Sequence, residues 1–172
     1  SSKQAIAELK SLGIRTVMLT GDNEATARAI AAQVGIDEVK ANLLPEDKLK
    51  VINALVAEQA TGMVGDGVND SPSLAAASIG FSMGGAGTDI AKEAADILIM
   101  NDDLRRVPET VLLSKRTYAI LWQNIIFALG IKAVFFVLAV FGNASMWMAV
   151  FADMGASLLV VFNGLRLLRG RK

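Results

Sequence analysis

Three short polar clusters in the first half of the chain carry residue types suited to phosphate: Thr20-Gly21-Asp22, Pro45-Glu46-Asp47-Lys48 and Gly65-Asp66-Gly67-Val68-Asn69-Asp70. A hydroxyl beside glycine amides holds phosphate oxygens, which fits Thr20 and Gly21. Lys48, in the first turn of a helix opened by Pro45, neutralises their charge. Asp66 and Asp70, four residues apart on a glycine-rich turn, suit Mg²⁺, a hard cation that takes carboxylates together with phosphate and water. Two acids beside a phosphate would repel it without a cation, so the set implies a metal. No glycine-rich Walker loop is present, which excludes a P-loop nucleotide site. A Gly-Asp turn alone is common, and a lysine early in a helix is ordinarily a solvated surface group. The weight rests on the six-residue acidic turn and on the three clusters falling in order, one per strand end.

A second pair of chemically active residues lies in apolar surroundings. Lys132 interrupts the run 119–141 and Asp153 the run 144–165. Lys132 is nine residues before Phe141 and Asp153 nine after Ala144, so in helices both lie roughly 13 Å from the intervening turn. Each run exceeds the roughly 20 residues a helix needs to cross a hydrocarbon core. Charges at that depth cost at least about 2.5 kcal/mol each on insertion scales, so they pair or line a polar path. On a functional reading Asp153 ligates a cation, and Lys132 compensates its charge when the cation leaves. On a structural reading the two form a salt bridge that holds a hairpin together. Gln123, Asn124, Ser157 and Asn163 are expected as helix–helix hydrogen-bonding groups without a ligand role.

Composition agrees with a chain of two unlike halves. Of 172 residues, 17 are Lys or Arg, 17 are Asp or Glu, and 53% are hydrophobic. Mean hydropathy is +0.45, which excludes an intrinsically disordered chain. There is no Cys and no His, so within this stretch disulfides, thiolate metal sites, cysteine nucleophiles and imidazole bases are excluded. Residues 1–118 carry 12 basic and 16 acidic side chains; residues 119–172 carry 5 and 1. The basic residues flank the apolar runs: Lys115 and Arg116 before the first, Arg166, Arg169, Arg171 and Lys172 at the end of the second. The positive-inside rule then places both chain ends and the acidic half in the cytoplasm. Two buried core helices of a soluble protein are the bland alternative.

Short apolar strands alternate with amphipathic helices in the acidic half. Helices are expected at 3–12, 24–34 (capped by Asp22 or Asn23 and stopped by Gly35), 45–59, 71–77 and 89–94. Strands are expected at 14–19, near Val39, and at 61–64, 79–82 and 97–100. A last helix from about Leu104 runs toward the first apolar run. This alternation argues for an α/β fold with a mainly parallel sheet covered on both faces, whose ligands sit at the carboxyl ends of the strands.

The segments TGDN, LLPEDK, MVGDGVNDSPSLAAASIG and MGGAGTDIAKEAADILIM resemble the phosphorylation domain of P-type cation-transporting ATPases, with its haloacid-dehalogenase-like Rossmannoid fold. NIIFALGIK and ADMGASLLVVFNGLRLLR are similar to the last two membrane helices of the heavy-metal subgroup that exports Zn²⁺, Cd²⁺ and Pb²⁺. The resemblance implies that Thr20 and Gly21 contact the transferred phosphoryl group, with Asp22 at its edge and Lys48 on the phosphate. It makes Asp66 a direct Mg²⁺ ligand, completed by Asn69 and Asp70, and it makes Asp153 a transported-metal ligand partnered by Lys132. It implies residues 1–117 as part of the phosphorylation domain and 118–172 as two membrane helices with a basic cytoplasmic tail. The copper subgroup's Tyr-Asn and Met with Ser-Ser patterns do not occur, which argues against Cu⁺.

The family's phosphorylated aspartate lies in an Asp-Lys-Thr-Gly-Thr segment, which does not occur in this sequence. The chain is therefore expected to be the C-terminal piece of a larger pump, inactive alone, whose nucleophile, ATP-binding domain, actuator loop and cysteine-bearing helix lie elsewhere. Expected cofactors are Mg²⁺ and ATP. Expected partners are a heavy-metal cation, the rest of the pump and a lipid bilayer, with no nucleic acid; the expected location is the plasma membrane. A pump for another cation (Cu⁺, K⁺) and a non-catalytic membrane-anchored partner of the same fold stand as alternatives.

Overall fold

The computed structural model describes residues 1–66, 69–84, 94–142 and 145–169. The chain forms two compact units, Ser1–Glu109 and Thr110–Lys172.

In the first unit α1 (Ser2–Ser11) leads to β1 (Val17–Leu19). The expected strand at 14–19 is shorter because the residues before Val17 have other partners. Gly13 takes a positive φ of 76°, Ile14 N–H returns to the Leu9 carbonyl, and Thr16 donates its backbone N–H and its hydroxyl to Asp37. Next, α2 (Glu24–Val34) begins at Asn23, whose side chain accepts from Thr26 N–H, and stops at left-handed Gly35. Between the two caps offered by the sequence, Asn23 is the one used. β2 (Glu38–Lys40), α3 (Pro45–Glu58), β3 (Gly62–Gly65), α4 (Ser71–Ala76), β4 (Ile79–Met83) and β5 (Ile97–Ile99) follow. The expected helix 89–94 lies, but for Ala94, outside the described residues.

Every strand pair is parallel, as the alternation of strands and helices requires. The strands form two ladders, β1 with β2 and β3-β4-β5. Ile52, Met63 and Leu74 form one core cluster, with Leu19 and Val56 packed against it. Phe81, Ile99 and Val107 form a second, with Leu9 and Leu104 against it.

The long helix α5 (Arg106–Val140) starts two residues later than expected, because Asp103 and Leu104 supply the capping carbonyls for Arg106 and Val107. It ends where Gly142 adopts φ 71°, a left-handed stop that glycine makes without strain. In the second unit α6 (Met146–Arg169) is opened by Ser145, whose hydroxyl accepts from Met148 N–H. Asn143 and Ala144, like Arg171 and Lys172, lie outside the described residues. Both helices are long and apolar enough to cross a membrane, with mean hydropathies of 2.0 and 1.7 over their most apolar stretches. Only 0% and 6% of those stretches is buried, unlike the core helix of a soluble protein.

Candidate functional site

Four site segments radiate from one core cluster. Leu19 precedes Thr20, Met63 lies three residues before Asp66, Ile52 is one helical turn beyond Lys48, and Leu74 is one turn beyond Asp70; all four apolar side chains pack together. Burying them fixes the ends of β1 and β3 and the first turns of α3 and α4, which carry the polar side chains.

The Thr20 turn is stitched in place by backbone. Thr20 N–H donates to the Lys40 carbonyl at 3.1 Å, its carbonyl accepts from Leu43 N–H at 3.0 Å, and the Asp22 carbonyl accepts from Asn42 N–H at 2.8 Å. The Thr20 hydroxyl accepts from Asp22 N–H and donates to the Asp22 carboxylate, both at 3.1 Å. Asp22 therefore orients the hydroxyl. A Cβ on Gly21 would sit 3.3 Å from the Leu43 carbonyl oxygen, so the absent side chain permits that closure. Asn42, at φ 55°, turns the chain over this loop; nothing in the sequence reading marked it, although asparagine tolerates this conformation better than most residues.

Pro45 opens α3, and the Asp47 carboxylate accepts from Leu44 N–H at 3.4 Å. Lys50 and this N–H hold the Asp47 carboxyl below its ordinary range. One residue on, Lys48 Nζ lies 2.9 Å from Asp70 Oδ1, with side chains only 19% and 15% exposed. Asp70 precedes α4 and makes no side-chain cap bond to it; its Oδ1 is the oxygen that meets Lys48. Gly65 allows this: a Cβ there would stand 3.1 Å from both Asp70 Oδ2 and its Cβ. Gly65 was legible only as part of the motif, without a role of its own. Asp66 and Asn69 are exposed, and Gly67 and Val68 between them lie outside the described residues.

Among the described residues no group of three or more acids gathers to hold a metal. Two carboxylates with an amide oxygen nonetheless fit Mg²⁺, which is ordinarily held by one or two carboxylates plus substrate phosphate and water.

In the second unit Lys132 Nζ lies 3.8 Å from Asp153 Oδ1. The separation is that of an ion pair without a direct hydrogen bond. The two side chains share a pocket of about 290 Å³ with Phe135, Ala149, Ala152 and Ala156. The three alanines leave the acid room for a further ligand. Asn163 reaches across to Gln123 and Asn124, as expected of helix–helix polar groups. Ser157 does not: its hydroxyl donates to the Asp153 carbonyl of its own helix at 2.9 Å, the local back-bond open to serine in a helix.

Comparison with known proteins fits both units. Residues 1–78 match the haloacid dehalogenase-like hydrolase family. A probable cadmium-transporting ATPase of Alkalihalophilus pseudofirmus is 52% identical over 171 residues, covering 98% of this chain and 24% of the relative. The cadmium, zinc and cobalt-transporting ATPase of Bacillus subtilis is 52% identical over 171 residues, covering 96% of this chain and 24% of the relative. The chain belongs to the P-type ATPase family. A crystal structure of a zinc-transporting PIB-type ATPase in an E2.Pi state superposes with a TM-score of 0.89 at 47% identity, over 96% of this chain and 27% of that one. This P-type ATPase chain thus spans about a quarter of the length of the relatives it matches. The expected haloacid-dehalogenase-like fold, with two helices fit to cross a membrane, holds over the chain.

Proposed function

We propose that the chain is part of an ATP-driven pump that exports Zn²⁺, Cd²⁺ or Pb²⁺ through an aspartyl-phosphate intermediate. Residues 1–117 form part of its phosphorylation domain and residues 118–172 a membrane hairpin with a basic cytoplasmic tail. The observation that carries the metal assignment is the Lys132–Asp153 pair at 3.8 Å inside apolar helices, since charges at such depth mark ion paths. Similarity at about 50% identity to ATPases named for cadmium and zinc supports it.

The phosphoryl-accepting aspartate belongs to the rest of the pump. Among the described residues β1 pairs only with β2, and β3 only with β4. A parallel strand from elsewhere that paired with the remaining edge of both would bring its carboxyl end between Thr20 and Asp66. The Thr20 hydroxyl and the Gly21 amide bind phosphoryl oxygens, with Asp22 setting the hydroxyl. Lys48, steadied by Asp70, balances the charge that spreads over the transferred group. Asp66, Asn69 and Asp70 hold Mg²⁺, which when bound neutralises phosphate charge. In the membrane Asp153 ligates the cation, and Lys132 takes over as its partner once the cation has left. The basic residues Lys115, Arg116 and Arg166 favour a cytoplasmic position for the ends of the hairpin, and the location proposed with this reading is the plasma membrane.

The test is Asp153→Ala in the full-length pump. Zn²⁺-stimulated ATP hydrolysis is expected to vanish, while phosphorylation of the acceptor by inorganic phosphate persists. Undiminished stimulation would overturn the assignment.

A further inference from the structure

About 12 Å along α5 from Lys132, by helical rise over eight residues, lies a polar cluster that the ion pair does not use. Asn163 on α6 donates its side-chain amide to Asn124 Oδ1 at 2.9 Å and to Gln123 Oε1 at 3.3 Å, both on α5. Its own Oδ1 accepts from Arg166 at 3.0 Å, one turn further along α6. Both ends of the Asn163 amide are thereby engaged, so it has one orientation. Asn124 and Asn163 are partly buried, and between this cluster and the ion pair the helices present small or apolar residues, among them Ala128 and Val160.

We infer that Asn163, held by Gln123 and Asn124, is a positioning latch that sets the register of α6 against α5 and hence of Asp153 against Lys132. A helix is a rigid rod over such a span, so fixing one point of side-chain contact fixes rotation and slide at the next. The Lys132–Asp153 contact needs an external setting because, at 3.8 Å, it has no direct hydrogen bond to define its own geometry. Arg166, whose guanidinium donates to the Asn163 oxygen, puts a positive charge at the cluster, which argues against a cation-binding role. The inference rests on the pump reading only for what Asp153 does; the register claim stands on the hydrogen bonds.

The experiment uses the full-length pump with Asn163→Leu, Asn124→Leu, the double variant, and Asn163→Asp. The last keeps oxygens for reoriented Asn124 and Gln123 amides and for Arg166. Asn163→Leu should raise the Zn²⁺ concentration for half-maximal ATPase stimulation about three- to tenfold, in line with measured interhelical hydrogen bonds, while the maximal rate stays near wild type. Asn163→Asp should restore the wild-type value, and the double variant should be no worse than Asn163→Leu alone, which already breaks both interhelical bonds. Asn124→Leu, made on the other helix, should shift the value in the same direction and replaces Asn163→Leu if that protein does not fold. A half-saturation within twofold of wild type in the leucine variants, or additive losses in the double variant, would overturn the latch. If the wild-type pump shows no metal stimulation, the pump reading fails. The latch is then judged by thermal unfolding of the same four proteins, where additivity of the two leucine changes overturns it.

Discussion

Gly65 and Asp70 occupy one space: the carboxylate of Asp70 lies where a side chain on Gly65 would be, 3.1 Å from the position of its Cβ. The glycine leaves the Asp70 carboxylate room beside the end of β3, where it meets Lys48. Gly65→Ala should therefore displace Asp70 and cost about 1–3 kcal/mol, the usual penalty for overfilling a packed site. In the full-length pump phosphorylation from ATP should drop at least tenfold, measured as acid-stable phosphoenzyme. Wild-type phosphoenzyme levels would show that Asp70 does not need this position.

Lys48→Met probes the same contact from the other side. It keeps the length of the side chain and removes the charge, leaving a largely buried Asp70 carboxylate without its 2.9 Å partner. Hydrogen bonds to charged groups are worth about 1.5–3 kcal/mol, and loss of one preorganised donor at a charge-developing centre commonly costs about a hundredfold in rate. Phosphorylation is expected to fall by about that factor, while binding of Zn²⁺ to the membrane half is unchanged. A fall below threefold would assign Lys48 to stability alone.

What the sequence disclosed and what it hid divide along physical lines. Strand–helix alternation, Asn23 and Gly35 as punctuation, and the two apolar runs are local signals, and α2 runs over the expected residues, Glu24–Val34. β1 starts later than its apolar pattern suggests because Thr16 turns to Asp37, 21 residues away, a preference no local pattern carries. The polar clusters were visible as motifs; the partnership of Lys48 with Asp70 was not, since it depends on the missing side chain of Gly65. Helical rise alone brought Lys132 and Asp153 to matching depth, whereas the choice of Asn163 over Ser157 as the interhelical group depends on which face of α6 meets α5.

The brace at Asp37 predicts a pH effect. Asp37 pairs with Lys10 at 2.7 Å and accepts from Thr16 N–H and Oγ. These contacts, Lys10 first, lower its pKa from 3.8 to about 2. A carboxyl with a depressed folded-state pKa adds stability that is present in full above its unfolded value and is lost as pH falls through the folded one. The contribution should disappear between about pH 4 and pH 2. Asp37→Asn should flatten that part of the acid-unfolding curve and leave the rest unchanged. An equal slope in both proteins would reject the brace.

Gly80 is crowded in a different way: a Cβ there would lie 2.9 Å from the carbonyl oxygen of Leu74. Ala95 Cα, at 3.5 Å, is the other group it would meet; both are backbone, so neither yields as a flexible side chain would. Gly80→Ala should cost about 1–3 kcal/mol by pushing α4 off β4, and Leu74→Ala, which empties a fully buried site, about 2–5 kcal/mol. Thermal unfolding of the full-length protein checks both. Gly80→Ala at wild-type stability would mean that α4 shifts freely, and Asp70, at its head, would then be poorly fixed.

Lys132→Ala separates the two readings of the membrane pair. Two unit charges about 4 Å apart attract by roughly 1 kcal/mol in water and roughly 4 kcal/mol at an effective dielectric of 20. If Lys132 stands in for the departing cation, removing it makes release less favourable by at least about fivefold. The full-length variant should then bind Zn²⁺ more tightly in equilibrium dialysis while turning over ATP more slowly under saturating metal. If the pair only fastens the hairpin, the variant should lose thermal stability and metal affinity together. Tighter binding with slower turnover has no source in a merely structural salt bridge, so the sign of the affinity change decides between them.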